Sequence, residues 1–162
     1  MSQPNPPRPG NVALADLLDE GFDRKAWHGP NLWSALRGVD ARLAAWRPAP
    51  GRHNIWELVV HAAYWKYLVR RRVTGDRTLR FAYDGSNFFP RPSGDEADQE
   101  RAWVEDRRLL LGEHRALMAV TRTLDPARLT ATQRRNLKGI AFHDVYHAGQ
   151  IRLLRVMAEE QD

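Results

Sequence analysis

Gly139-Ile-Ala-Phe-His-Asp-Val-Tyr-His-Ala-Gly-Gln-Ile-Arg-Leu-Leu154 decides how the rest of the chain is read. As a helix it advances about 100° per residue, which brings Asn136, Ile140, His143, His147, Gln150, Leu154 and Met157 into one narrow stripe. Polar groups fill the middle of that stripe. Buried imidazole and amide groups lose solvation unless something pairs with them, and a metal ion is one such partner. His143 and His147 stand one turn apart, about 6 Å along the axis, as in the zinc-binding H-x-x-x-H pattern. The same spacing fits two satisfied core or surface histidines, so a third ligand elsewhere is what separates the readings.

Upstream, Asn54 is an N-cap residue for a helix running to about Val73, with Gly75 as its stop. On that helix Asn54, Glu57, His61, Trp65 and Leu68 share a face, so the polar-centred stripe recurs. His61 sits between apolar neighbours. Glu57 lies one turn before it, placed to reach an ion, a ligand imidazole or the substrate. A salt bridge with an arginine is the structural alternative for Glu57, and a hydrogen bond across the core is the alternative for Gln150.

The remaining chain supplies two more amphipathic segments. Leu14, Leu17, Leu18 and Phe22 recur at helical spacing from Val12 onward. Gly29 and Pro30 interrupt the helix, and Trp33, Leu36 and Val39 continue its apolar face into a connector over residues 40–52. A third helix begins near Asp95 to Asp98 and ends near Leu124, burying Trp103, Leu110, Leu117, Val120 and Leu124. His114, between Glu113 and Arg115, reads as exposed or bordering. His28, at a helix junction, either faces a site or decorates a helix end. Residues 74–95 carry glycine, prolines and the pair Phe88-Phe89 without any helical period, which predicts a crossover between parallel helices pinned by Phe81, Phe88 and Phe89.

Composition narrows the class. The chain has 162 residues, enough for one domain with its own core. The proline-rich residues 1–10 predict a disordered tail, and residues 11–162 a single domain. There is no run of about eighteen apolar residues and no signal-peptide core, so a cytoplasmic location without membrane association is expected. Cysteine is absent, which leaves nitrogen and oxygen as metal ligands and excludes a thiol nucleophile from the protein itself. The net charge of +5 raises nucleic acid as a partner. The basic residues are scattered arginines, with only Arg70-Arg71-Arg72 and Arg134-Arg135 adjoining, and helix-dipole complementation explains the first cluster, so nucleic acid is the weaker reading.

Long amphipathic segments without period-two runs predict an all-α four-helix bundle. Bundle cores build metal sites from facing helices, and His61, His143 and His147 supply three nitrogens. Three protein ligands are typical of a catalytic ion, four of a structural one.

The segments Trp27-His-Gly-Pro-Asn-Leu32, His53-Asn-Ile-Trp-Glu-Leu-Val-Val-His61 and His143-Asp-Val-Tyr-His-Ala-Gly-Gln-Ile151 resemble those of the DinB/YfiT superfamily in order and spacing. That resemblance implies up-down-down-up connectivity with the long crossover between the second and third helices. It implies a divalent ion, nickel or zinc, on the matching His61, His143 and His147, and a homodimer. Characterised relatives imply a small-molecule enzyme of the thiol S-transferase kind, with a low-molecular-weight thiol as partner. Metal activation of water would give a hydrolase instead, and a non-catalytic metal-stabilised bundle or a nucleic-acid-associated protein is the alternative. Glu57 and Gln150 are the candidate catalytic residues, and Asp144, about 100° from the stripe, reads as an orienting group. The six tryptophans, Trp56 among them, are more than one core readily encloses, which also points to a partner surface.

Overall fold

The computed structural model describes residues 9–93 and 98–161, and within them the chain is all-helical. Its helices are α1 (Pro9–Phe22), α2 (Leu32–Ala35), α3 (Ala41–Ala45), α4 (Ile55–Thr74), α5 (Gln99–Thr123) and α6 (Ala131–Glu159), with a 3₁₀ turn at Pro126–Arg128. None of them is long and apolar enough to cross a membrane. The start expected at Val12 moves back to Pro9, a residue whose missing N–H costs nothing in a first turn. Residues 1–8 of the expected tail, and Asp95 of the expected third helix, lie outside the described residues.

Local chemistry sets the remaining boundaries. The Asn54 side chain accepts the Glu57 N–H at 2.8 Å, and Gly75, at φ 70°, closes α4 in the left-handed conformation that glycine adopts without strain. Thr130 and Gln133 form a capping box that opens α6, and Asp98 caps α5. Between α1 and α4 the chain takes two short helices, α2 and α3, capped by Asn31 and Asp40.

The long helices α1, α4, α5 and α6 pack on one another, most extensively α4 on α5 and α1 on α6. One apolar cluster joins Phe22, Leu36, Ile55, Trp56, Val60, Trp103, Leu110 and Ile151; a second joins Leu18, Val69, Leu117, Leu137 and Ile140. Each fully buried side chain of this size contributes about 1.5–3 kcal/mol. Gly21 lets α1 approach α6 closely, since a Cβ there would lie 2.7 Å from the Ala141 carbonyl oxygen. Trp56 and Trp103 belong to the core, not to a partner surface. Their rings meet edge to face at 5.4 Å, and their indole N–H groups donate to Asp106 and to the Val39 carbonyl. Trp27, by contrast, is fully exposed.

The long segment between α4 and α5 is tied down along its path. Tyr67 donates to the Leu79 carbonyl, Tyr83 donates to Asp106 at 2.6 Å, and Arg91 pairs with Asp106 at 3.0 Å. Phe89 is buried among core aromatics. Asp106 thus gathers α4, α5 and the segment between them; burial first, then this carboxylate, push the Tyr83 hydroxyl up to about 12.

His114 corrects the sequence reading. It is buried because α1 covers this face of α5: its ring stacks on Phe22 at 3.7 Å and Nε2 lies 3.9 Å from Asp19. Burial, with the charges of Lys66, Arg122 and Arg115, pushes its imidazole down to about 2. An unfolded chain protonates this ring near pH 6.5 and the folded chain only far below, so stability is lost as pH falls below about 6.5. Thermal unfolding between pH 7 and pH 5 should therefore show a shallower acid loss in His114→Phe than in the wild type, by about 2 kcal/mol at pH 5. Parallel pH profiles would contradict the placement.

A fully buried ion pair, Lys66 with Asp144, links α4 to α6. Burial pushes the Asp144 carboxyl up to about 6 and the Lys66 ammonium down, and each charge partly offsets the other's penalty. Removing one partner strands the other. Urea unfolding should show Lys66→Met losing about 3–5 kcal/mol and the double variant Lys66→Met/Asp144→Leu losing much less. A double-variant loss equal to the sum of the losses in Lys66→Met and Asp144→Leu would show that the pair is not coupled.

Candidate metal centre

His61 on α4 and His143 and His147 on α6 bring their Nε2 atoms together: His61 to His143 is 3.1 Å, and His147 to His143 is 3.0 Å. Their ligand atoms all lie within 4.8 Å of one another. The far side of two rings is fixed by acceptors. His61 Nδ1 faces the Asn87 carbonyl oxygen at 2.8 Å and His147 Nδ1 faces Gln150 Oε1 at 2.6 Å. An N–H on each Nδ1 leaves the Nε2 lone pair pointing inward. Without a cation, His143, whose Nδ1 has no partner, can carry its proton on Nε2 and donate to only one of its two neighbours, whereas a cation among the three nitrogens satisfies every lone pair. Imidazole nitrogens about 2.0–2.1 Å from a tetrahedral zinc lie about 3.3 Å apart, so the observed spacing needs only a small adjustment. The donor set fits a divalent ion.

The electrostatics agree. Burial, followed by the neighbouring imidazoles, pushes His143 down to about 3; burial and His61 push His147 down to about 4. His61 is also lowered by burial, with partial compensation from the Asn87 carbonyl. All three rings are therefore neutral near pH 7, the state that ligates metal.

The segment between α4 and α5 completes the centre. Asn87, in the left-handed conformation at φ 68°, uses its carbonyl for His61 and its side-chain oxygen to accept the Trp65 indole N–H at 3.0 Å. Phe88 is sandwiched between two imidazoles, stacked on His61 at 4.0 Å and on His53 at 3.7 Å. Glu57 is buried, paired with Arg47, and receives His53 Nδ1 at 2.8 Å. Its contacts are therefore with Arg47 and His53, and the attraction of those two groups holds its carboxyl below the usual range despite the opposing effect of burial. Gln150 meets His147 and accepts its Nδ1, while its amide reaches Tyr146 at 3.3 Å. Asp144 faces Lys66, one helical step off the stripe. His28 is exposed and lies in a turn. Sequence reasoning missed Asn87, His53 and Arg47, because contacts between a loop and a helix leave no period.

A cavity of about 740 Å³ opens onto the three imidazoles. Leu58, Phe88, Leu154 and Met157 make its apolar wall, and Arg52, His53 and Tyr146 add polar groups. Its size is that of a small-molecule site.

Residues 24–151 match the sequence family described as the DinB superfamily. No curated protein and no solved structure matches the chain.

If Gln150 fixes the His147 tautomer, Gln150→Ala should weaken zinc binding about 10- to 100-fold in a competition titration with a chelating indicator. His61→Ala should remove most of the bound metal. Full occupancy in His61→Ala would sink the three-histidine assignment.

Proposed function

We propose that this chain, which belongs to the DinB superfamily, is a metal-dependent enzyme acting on a small molecule, with zinc or nickel held by His61, His143 and His147. One observation carries the reading: three inward-facing Nε2 atoms stand at the wall of an apolar cavity of about 740 Å³, and no fourth His, Cys, Asp or Glu joins them among the described residues. Three protein ligands leave room for a reactant, as catalytic sites do. A divalent ion held there lowers the pKa of a thiol or water, which supplies a nucleophile at neutral pH.

The chain's own residues do the rest. Phe88, Leu154 and Met157 exclude water and bind the apolar part of the substrate. Gln150 orients His147. Glu57, anchored by Arg47, accepts the Nδ1 proton of His53 and leaves His53 Nε2 to exchange a proton in the cavity. In a thiol S-transferase, His53 Nε2 takes the thiol proton, sulfur bonds to the electrophilic carbon, and the leaving group departs with its electron pair and takes that proton back from His53. With water in the thiol's place the outcome is hydrolysis.

The architecture proposed for this activity is an up-down-down-up four-helix bundle, because the segment between α4 and α5 is long enough to cross between parallel helices. We also propose a homodimer through α6. Phe142, Tyr146, Leu153 and Val156 are exposed large apolar residues, and with Gly149 they recur at alternating steps of four and three, the seam of paired helices. Light scattering should give a dimer that Phe142→Glu/Leu153→Glu converts to a monomer. A monomeric wild type at micromolar concentration would contradict this.

Cobalt-substituted protein tests the chemistry. A low-molecular-weight thiol should raise an intense sulfur-to-metal absorption band. If thiols leave the spectrum unchanged while an activated ester is hydrolysed only with metal present, the transferase gives way to the hydrolase. If neither occurs, the ion serves stability alone.

A further inference from the structure

A second cavity, of about 400 Å³, reaches the same centre and shares His61, His143 and Phe88 with the first. Its chemistry differs. Trp65, Arg72, Asn87, Arg135 and Asn136 line it, and among the described residues no carboxylate does.

We propose that the centre takes two reactants at once, and that this second cavity is a subsite for a small organic anion, a carboxylate or a phosphate ester, held by Arg72 and Arg135. The assignment rests on the metal-dependent reading above and extends it to the class of the second reactant.

Three arginines on or beside α4 have carboxylate partners: Arg70 makes a forked pair with Glu113, Arg47 pairs with Glu57, and Arg91 with Asp106. Arg72 and Arg135 make no ion pair with any described residue. Arg72 stands over the Trp65 ring at 5.8 Å, which orients its planar guanidinium for the two-pronged grip that carboxylates and phosphates favour. Arg135 lies near the N-terminal end of α6, where the helix dipole disfavours a cation, so dipole complementation does not account for it. The Asn136 side chain, which makes no hydrogen bond to the described residues, adds a donor amide on the same helix. An apolar cavity and a cationic one meeting at three imidazoles suit two chemically different reactants, which favours group transfer between them over hydrolysis of one.

Calorimetric titration of the full chain with succinate and with inorganic phosphate tests this, at about 20 mM and about 200 mM sodium chloride. Both probes should bind, more weakly at the higher salt, and 1,4-butanediol should not. Stronger binding of succinate identifies a carboxylate site, stronger binding of phosphate a phosphate site. Arg72→Ala/Arg135→Ala should lose at least about tenfold in affinity. Arg101→Ala/Arg128→Ala, which removes the same charge from exposed positions elsewhere, should lose almost none. Equal losses in the two double variants, or no heat from either anion with the wild type at low salt, would overturn the subsite. Because the titration reads binding and not turnover, its failure stands apart from that of the metal reading: anion binding by a chain that holds no metal would overturn the latter alone.

Discussion

The close approach of three neutral imidazole nitrogens is the constraint to which the surrounding structure answers. Nε2 atoms about 3 Å apart require two helices held at fixed separation and rotation, and two of the rings, His61 and His147, are held in one tautomer by the Asn87 carbonyl and Gln150. The Lys66–Asp144 pair lies one residue from His143 on α6 and five from His61 on α4, so α4 and α6 are locked against sliding beside the site. Buried ion pairs add little net stability, but they define register. Gly21 lets α1 sit tightly on α6 at Ala141, two residues from His143.

The segment between α4 and α5 acts as a structural member of the site. Asp106 anchors one part of it through Tyr83 and Arg91. Asn87 and Phe88 then deliver a backbone carbonyl and an aromatic face to His61. Phe88 also stacks on His53, so the Glu57–His53 pair and His61 share one ring between them. The cationic and apolar cavities both use Phe88 as a wall, which makes it a divider of the two sides.

What could be read from the letters follows the range of the interaction. Caps act over three or four residues, so Asn54 and Gly75 predicted α4 closely. The helical period places His61, His143 and His147 on polar-centred stripes of two helices, and the folded chain brings those stripes face to face. Interactions set by rotation between helices were not readable. Asp144 stood off its stripe as an orienting group, yet its partner Lys66 belongs to another helix. His114 looked exposed between two charged neighbours, because the covering Phe22 is far away in sequence. Glu57 carried two readings, and the structure joins it to Arg47 as a salt bridge and, through His53, to the cavity. Trp56 suggested a surface from its angle on the helix, but α5 covers it and Asp106 satisfies its indole N–H.

X-ray absorption spectroscopy on protein purified without an affinity tag and loaded with one equivalent of zinc tests the central claim most directly. The account predicts a first shell containing three imidazole nitrogens at about 2.0–2.1 Å, with imidazole scattering reduced to two rings in His61→Ala. A shell dominated by carboxylate or solvent oxygen, or one unchanged by that substitution, would contradict it.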